Sequence, residues 1–203
     1  MNKDIMICGI GGQGTVLASK IIAAAAMDEG HRAHSAETIG MAQRGGSVTS
    51  HIRIGEDAFS PLIPFGCASM LLAFEPGEAV RNLPYLDKDG MAIVNTLPTK
   101  PVTESLHETG YDGTEMIAYL ENKCSCIFAD SKELCKPFGS TRFFNIIMLG
   151  IAAGSGRLGI KKETLLKEIE QNVPARFADI NREAFLTGFK IGQAHIKPAN
   201  QGE

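Results

Sequence analysis

The chain has 203 residues, 44% of them hydrophobic and 21% charged, with a formal charge of -3; this is the composition of one soluble globular domain and excludes an intrinsically disordered segment. A pI near 6.0 supplies no broad positive field, so a nucleic-acid binder working through clustered Lys and Arg is excluded as well. The five cysteines are an odd number and argue against a disulfide framework and for a reducing, cytoplasmic setting.

The first ten residues carry Asp4 and only a short apolar run, so they read as neither a signal peptide nor a membrane span. Asp4 to Cys8 reads as a buried strand, followed at once by Gly9, Gly11, Gly12 and Gly14. Thr15 to Glu29 reads as a helix that Gly30 ends, its four consecutive alanines suited to close approach to a sheet. Arg32 to Ala36 is a weaker strand, leading into a polar loop from Glu37 to Gly46. Ser47 to Ile54 alternates with period two, placing Val48, Ser50, Ile52 and Ile54 on one face and Ser47, Thr49, His51 and Arg53 on a polar one. Ala68 to Phe74, Met91 to Asn95 and Cys126 to Ala129 are further strands, with a short helix around Glu78 to Leu83.

Helical spacing then predicts helices over Thr141 to Ala153, Lys162 to Glu170 and Arg176 to Ala194. The Phe-rich stripe of the last (Phe177, Phe185, Phe189) suits the core better than an interface. The polar residues 197–203 are expected to be mobile. Strands alternating with helices predict one three-layer α/β/α Rossmann-like domain over residues 1–203, with a largely parallel sheet and a helical C-terminal third.

Gly9 to Gly14 matches G-x-G-x-x-G between a strand and a helix, where backbone N–H groups and a helix N-terminus hold phosphate. The pattern alone is weak, because the same glycines also serve a tight turn with no ligand, and the only acidic residue placed to hold a ribose is Glu37. In the following loop Arg44 is suited to a carboxylate or phosphate, with Gln43, Ser47 and Thr49 as neutral donors; an internal Arg44–Glu37 pair explains the same residues equally well. His51 is expected on a solvated or subunit-facing position rather than in catalysis. Cys124, Cys126 and Cys135 fit neither a zinc knuckle nor a ferredoxin run and read as buried free thiols. The chain lacks a self-contained catalytic set.

GIGGQGTVLASKIIAAAA (Gly9 to Ala26), SAETIGMAQRGGSVTSHIRIG (Ser35 to Gly55), SPLIP (Ser60 to Pro64), FEPGEAVR (Phe74 to Arg81) and VNTLP (Val94 to Pro98), in this order and spacing, resemble the gamma-type domain of 2-oxoacid:ferredoxin oxidoreductases over nearly the whole chain. The residues ahead of RGGSV resemble the indolepyruvate branch more than the pyruvate or 2-oxoglutarate branches. The resemblance implies a subunit that binds no cofactor alone and assembles with a large alpha subunit carrying thiamine diphosphate and 4Fe–4S clusters. The complex would decarboxylate aryl pyruvates oxidatively to aryl-acyl-coenzyme A and carbon dioxide, with ferredoxin as electron acceptor. It further implies that Gly11, Gly12, Gln13 and Gly14, together with Gln43, Arg44, Gly45, Gly46 and Ser47, contact either coenzyme A or the partner subunit. A non-catalytic nucleotide-binding or assembly module is the alternative, and the sequence leaves open whether the isolated chain is a monomer or a homodimer.

Overall fold

The computed structural model describes residues 2–39, 45–100 and 110–196. Six strands form one sheet: β1 (Lys3–Ile10), β2 (Ala33–Ile39), β3 (Ser47–Ile54), β4 (Ala68–Ala73), β5 (Leu86–Asn95) and β6 (Ser125–Ala129), in the order β2-β3-β1-β4-β5-β6. The helices are α1 (Thr15–Asp28), α2 (Pro76–Asn82), α3 (Thr114–Glu121), α4 (Ser131–Cys135), α5 (Phe144–Gly154), α6 (Lys162–Asn172) and α7 (Ala178–Ala194).

Side-chain parity along β1 sorts the layers. Ile5 and Ile7 face a core built with α1, α5, α6 and α7, whereas Met6 and Cys8 face a smaller one built with α2 and α3. This is the expected α/β/α domain. The sheet is mixed rather than uniformly parallel: β1, β4, β5 and β6 are parallel neighbours, but β3 runs antiparallel to both β1 and β2. Residues 40–46 are too few to carry a crossover, which needs a dozen or more, so β2 and β3 must form a hairpin. Glu37 belongs to β2, paired with Ser50, rather than to the loop. Since β3 lies between β2 and β1, the strand that carries Glu37 is not the neighbour of β1, and Glu37 is not placed beside the glycine turn as a ribose-binding carboxylate would be.

His51 is a correction. It is 5% exposed, because residues 55–67 fold over the polar face of β3: Ile63 N–H donates to His51 Nδ1 at 3.2 Å, and Tyr85 packs edge-on at 5.3 Å between ring centroids. Beside it, Arg53 Nε meets Asp4 Oδ1 at 3.0 Å. Burial lowers the His51 pKa, favouring the neutral ring that this acceptor role requires.

Helices α5 and α7 touch backbone to backbone. A Cβ added at Gly150, Gly154, Gly188 or Gly192 would collide with the carbonyl oxygen of Phe185, Phe189, Ile147 or Ile151 respectively. Two four-residue glycine spacings, G150-x-x-x-G154 and G188-x-x-x-G192, therefore interlock. Phe185 is fully buried and Phe189 packs on the core, as the stripe predicts, while Phe177 stays partly exposed. Two short helices, α3 and α4, and the three-residue 3-10 turn Thr141–Phe143 ahead of α5 were not legible from periodicity. Gln43, Arg44 and residues 197–203 lie outside the described residues.

Candidate functional site at the carboxyl ends of the parallel strands

Strand β1 ends in the glycine turn, and two of its glycines adopt conformations that other residues avoid, with φ of 104° at Gly12 and 82° at Gly14. Gly14 is the N-cap of α1; no side chain caps this end, and its first turn holds no acidic residue. The amide end of a 14-residue helix is thus left with its partial positive charge uncompensated by a carboxylate of the first turn.

Gln13 ties the turn to two other strand ends. Its Oε1 accepts from Ile10 N–H at 2.7 Å, and its Nε2 donates to Phe74 O at 3.1 Å and Thr99 Oγ1 at 3.3 Å. Asn95, buried at the end of β5, makes the matching knot: Nδ2 donates to Phe74 O (3.0 Å) and Leu97 O (3.2 Å), and Oδ1 accepts from Ser131 N–H (3.2 Å). These two amides hold the ends of β1, β4, β5 and β6 in one arrangement.

Between them lies a cavity of about 270 Å³ walled by Gly12, Gln13, Gly14, Phe74, Asn95, Leu97 and Thr99 on the sheet side and by Ser131, Thr141, Arg142 and Phe144 on the helix side. Among the described residues its wall carries one formal charge, the Arg142 guanidinium, and no carboxylate. Ser140 Oγ accepts from Arg142 N–H at 3.3 Å and fixes the turn that brings Arg142 to the rim. An uncapped helix start, an arginine and several hydroxyl and amide groups suit an anion, in the place where open α/β sheets hold ligands.

The second motif flanks the glycine turn on its other side. Gly11 N–H donates to Gly46 O at 2.8 Å and Gly45 N–H to Gly11 O at 3.4 Å, so the two glycine motifs are directly hydrogen-bonded. Gly45, Gly46 and Ser47 do not line the cavity. Ser47 turns away: its hydroxyl donates at 2.6 Å to Glu78 Oε2, whose other oxygen meets Arg81 Nε at 3.2 Å. Glu75 caps α2 by accepting from Glu78 N–H at 2.9 Å, and it accepts the Tyr111 hydroxyl at 2.5 Å. Burial and then this carboxylate push the Tyr111 pKa up. Burial, followed by the charges of Glu78 and Glu75, does the same to the Cys8 thiol under the network. This buried cluster anchors the start of β3, hence one end of the loop that contains Gln43 and Arg44. Sequence reasoning missed Asn95, Thr99, Ser131 and Arg142; the one available signal was a polar Asn closing an otherwise apolar strand at a carboxyl edge.

No group of three or more His, Cys, Asp or Glu among the described residues is arranged to hold a metal, and Cys135 lies apart from Cys124 and Cys126. No described helix is long and apolar enough to cross a membrane.

A family model described as pyruvate ferredoxin/flavodoxin oxidoreductase matches residues 4–191. Among curated relatives, "Indolepyruvate oxidoreductase subunit IorB" of Methanothermobacter thermautotrophicus is 37% identical over 93% of this chain and 97% of its own length. The protein of the same name from Archaeoglobus fulgidus is 35% identical over 93% and 94%. "Pyruvate synthase subunit PorC" of Methanothermobacter marburgensis is 27% identical over 89% of this chain and 92% of its own length. The fold matches that of the keto/oxoacid ferredoxin oxidoreductase gamma subunit from Geobacter sulfurreducens, with a TM-score of 0.70, 24% identity and coverage of 95% of this chain and 99% of that one. It also matches part of 2-oxoglutarate:ferredoxin oxidoreductase from Magnetococcus marinus, solved with 2-oxoglutarate, coenzyme A and succinyl-CoA bound, with a TM-score of 0.72, 17% identity and coverage of 98% and 32%.

Proposed function

The chain belongs to the pyruvate ferredoxin/flavodoxin oxidoreductase family, and from that premise we propose that it is the small subunit of an indolepyruvate:ferredoxin oxidoreductase whose glycine-turn cavity receives the phosphate-bearing part of coenzyme A. The observation that carries the substrate class is the graded likeness: 37% identity to an indolepyruvate subunit against 27% to a pyruvate synthase subunit, both over most of the chain.

In this reading the chain is the non-cofactor component of an oxidoreductase, and a partner completes its chemistry. Thiamine diphosphate and iron–sulfur clusters on a large alpha subunit would supply decarboxylation and single-electron transfer to ferredoxin. What this chain contributes is binding and orientation. A diphosphate at the start of α1 would meet the helix amides and Arg142, with Thr99, Ser131 and Thr141 of the same cavity wall supplying hydroxyl groups. The volume of about 270 Å³ lies just under the 300–1,000 Å³ range of small-molecule pockets and is too small for all of coenzyme A. The remainder of the ligand would extend past the rim toward the partner, so a complete site requires the assembled enzyme. The hairpin tip carrying Gln43 and Arg44 is proposed to contact the ligand or the partner from the other flank of the turn.

The test is anaerobic co-expression with the large subunit, followed by indolepyruvate-dependent reduction of ferredoxin or a viologen dye with and without coenzyme A. Turnover that needs both chains and coenzyme A, and that favours indolepyruvate over pyruvate and 2-oxoglutarate, is expected. Full activity of the large chain alone would overturn the subunit role, and a preference for pyruvate would overturn the substrate class.

A further inference from the structure

The Cys124 and Cys126 thiols lie 3.4 Å apart, sulfur to sulfur, where the chain leaves α3 and enters the edge strand β6. Cys124 sits in a bend and Cys126 in the strand, so the two side chains emerge on the same side of the backbone with the exposed Ser125 between them. Both sulfurs are within 3.7 Å of one acceptor, the Leu120 carbonyl that closes α3, and both are only half-buried. None of these features serves the cavity, which opens at the other end of the parallel strands. Two half-buried thiols held 3.4 Å apart by a helix end and a strand edge are placed to close to the disulfide bonding distance of about 2.05 Å.

We propose that Cys124 and Cys126 form a reversible dithiol–disulfide site that reacts with low-molecular-weight disulfides. The Cys124 sulfur attacks one sulfur of the small disulfide, breaking its S–S bond and expelling one small thiol, which takes up the Cys124 proton. The Cys126 sulfur then attacks Cys124, forming the Cys124–Cys126 bond and expelling the second small thiol with the Cys126 proton. Two protein S–H groups are oxidised by two electrons and the small disulfide is reduced to two thiols.

The electrostatics order the steps. The hydrogen bond from Cys126 lowers the Cys124 pKa, making Cys124 the attacking group. The same contact, with burial and the neighbouring charge, raises that of Cys126. Once Cys124 is capped its thiolate charge is gone, which removes the hydrogen bond and the charge of Cys124, leaving burial and Glu121, and so eases the attack of Cys126 on the adduct.

Trypsin isolates the pair on one peptide, Cys124 to Lys132, which contains no other cysteine. The folded full chain is equilibrated in glutathione buffers of increasing oxidised fraction, quenched with iodoacetamide, digested without reduction and weighed. The expected product is this peptide two hydrogens lighter, unalkylated, without a glutathione adduct, and returned to the doubly alkylated form by excess dithiothreitol. The lone exposed Cys67 should carry the glutathione adduct in the same samples. Cys124→Ser and Cys126→Ser should each trap a stable adduct on the remaining thiol. A wild-type peptide that keeps one or two glutathione adducts, or that stays doubly alkylated in every buffer, overturns the proposal.

Discussion

Substituting Gly188 by alanine tests whether the α5–α7 contact is as close as the structure places it. In an ordinary exposed helix position the change would stabilise by roughly 0.5–1 kcal/mol, because alanine loses less backbone entropy. At Gly188 the new methyl meets the Ile147 carbonyl oxygen, a backbone atom that cannot swing aside. The helices must separate, and forcing extra volume into a packed core costs typically 1–3 kcal/mol. With the upper end taken because backbone must move, the net is a loss of about 2 kcal/mol, equivalent to a fall in Tm of roughly 4–8 °C for a chain of this size. Thermal unfolding followed by circular dichroism reads this directly. Gly150→Ala, which demands the same separation through Phe185, should cost less on the Gly188→Ala background than alone. A Tm at or above wild type for Gly188→Ala would refute the close contact, since propensity alone predicts a rise.

Arg142→Ala should raise the KM for coenzyme A of the assembled enzyme about tenfold, the equivalent of about 1.4 kcal/mol, with the KM for indolepyruvate unchanged; equal shifts in both constants would remove Arg142 from the anion site. Arg44→Ala is expected to lower turnover while leaving the subunit folded, as judged by steady-state rates and circular dichroism, and wild-type rates at both subsaturating and saturating coenzyme A would contradict this. Acidification should destabilise the chain through His51. Its folded pKa is lowered by burial from the ordinary value of about 6.5, so the unfolded state takes up the proton first, and its contribution is intact above about pH 6.5 and lost as pH falls below it. His51→Asn retains an acceptor for Ile63 N–H without the titration, so its Tm should fall less than that of wild type between about pH 7 and pH 5; parallel declines would exclude His51 as the cause.

The sheet and the first helix were readable because each left a local signature: an apolar run closed by glycines, a period-two strand, an alanine-rich helical repeat. The mixed character of the sheet was also implicit in the shortness of residues 40–46, although alternation of strand and helix pointed to a mainly parallel arrangement. The burial of His51 was not readable. Its strand face is polar by composition, and what covers it is a loop without periodicity, residues 55–67, stitched down by the Ile63 amide. The cavity was half legible. Gly12, Gln13 and Gly14 announce themselves, but Asn95, Ser131 and Arg142 come from three separate segments whose convergence is a property of strand order, not of spacing. The glycine interlock of α5 and α7 was visible as letters four apart, yet only packing distinguishes a close helix contact from glycines placed without purpose.

The antiparallel placement of β3 divides the surroundings of the glycine turn into two kinds of chain. On the β4 side they are segments leaving parallel strands, each committed to a crossover, so a change in length there shifts a helix and the core beneath it. On the β3 side they are the tip of a hairpin, bonded to the turn by Gly45 and Gly46 and clamped below by Ser47 and Glu78. A hairpin tip can be lengthened, shortened or recomposed without disturbing any other element, at an entropic cost that grows only slowly with length. The fold thus pairs a rigid socket with an exchangeable collar, a division under which half a dozen residues can be edited on one flank of the cavity while the strand ends on the other stay as they are.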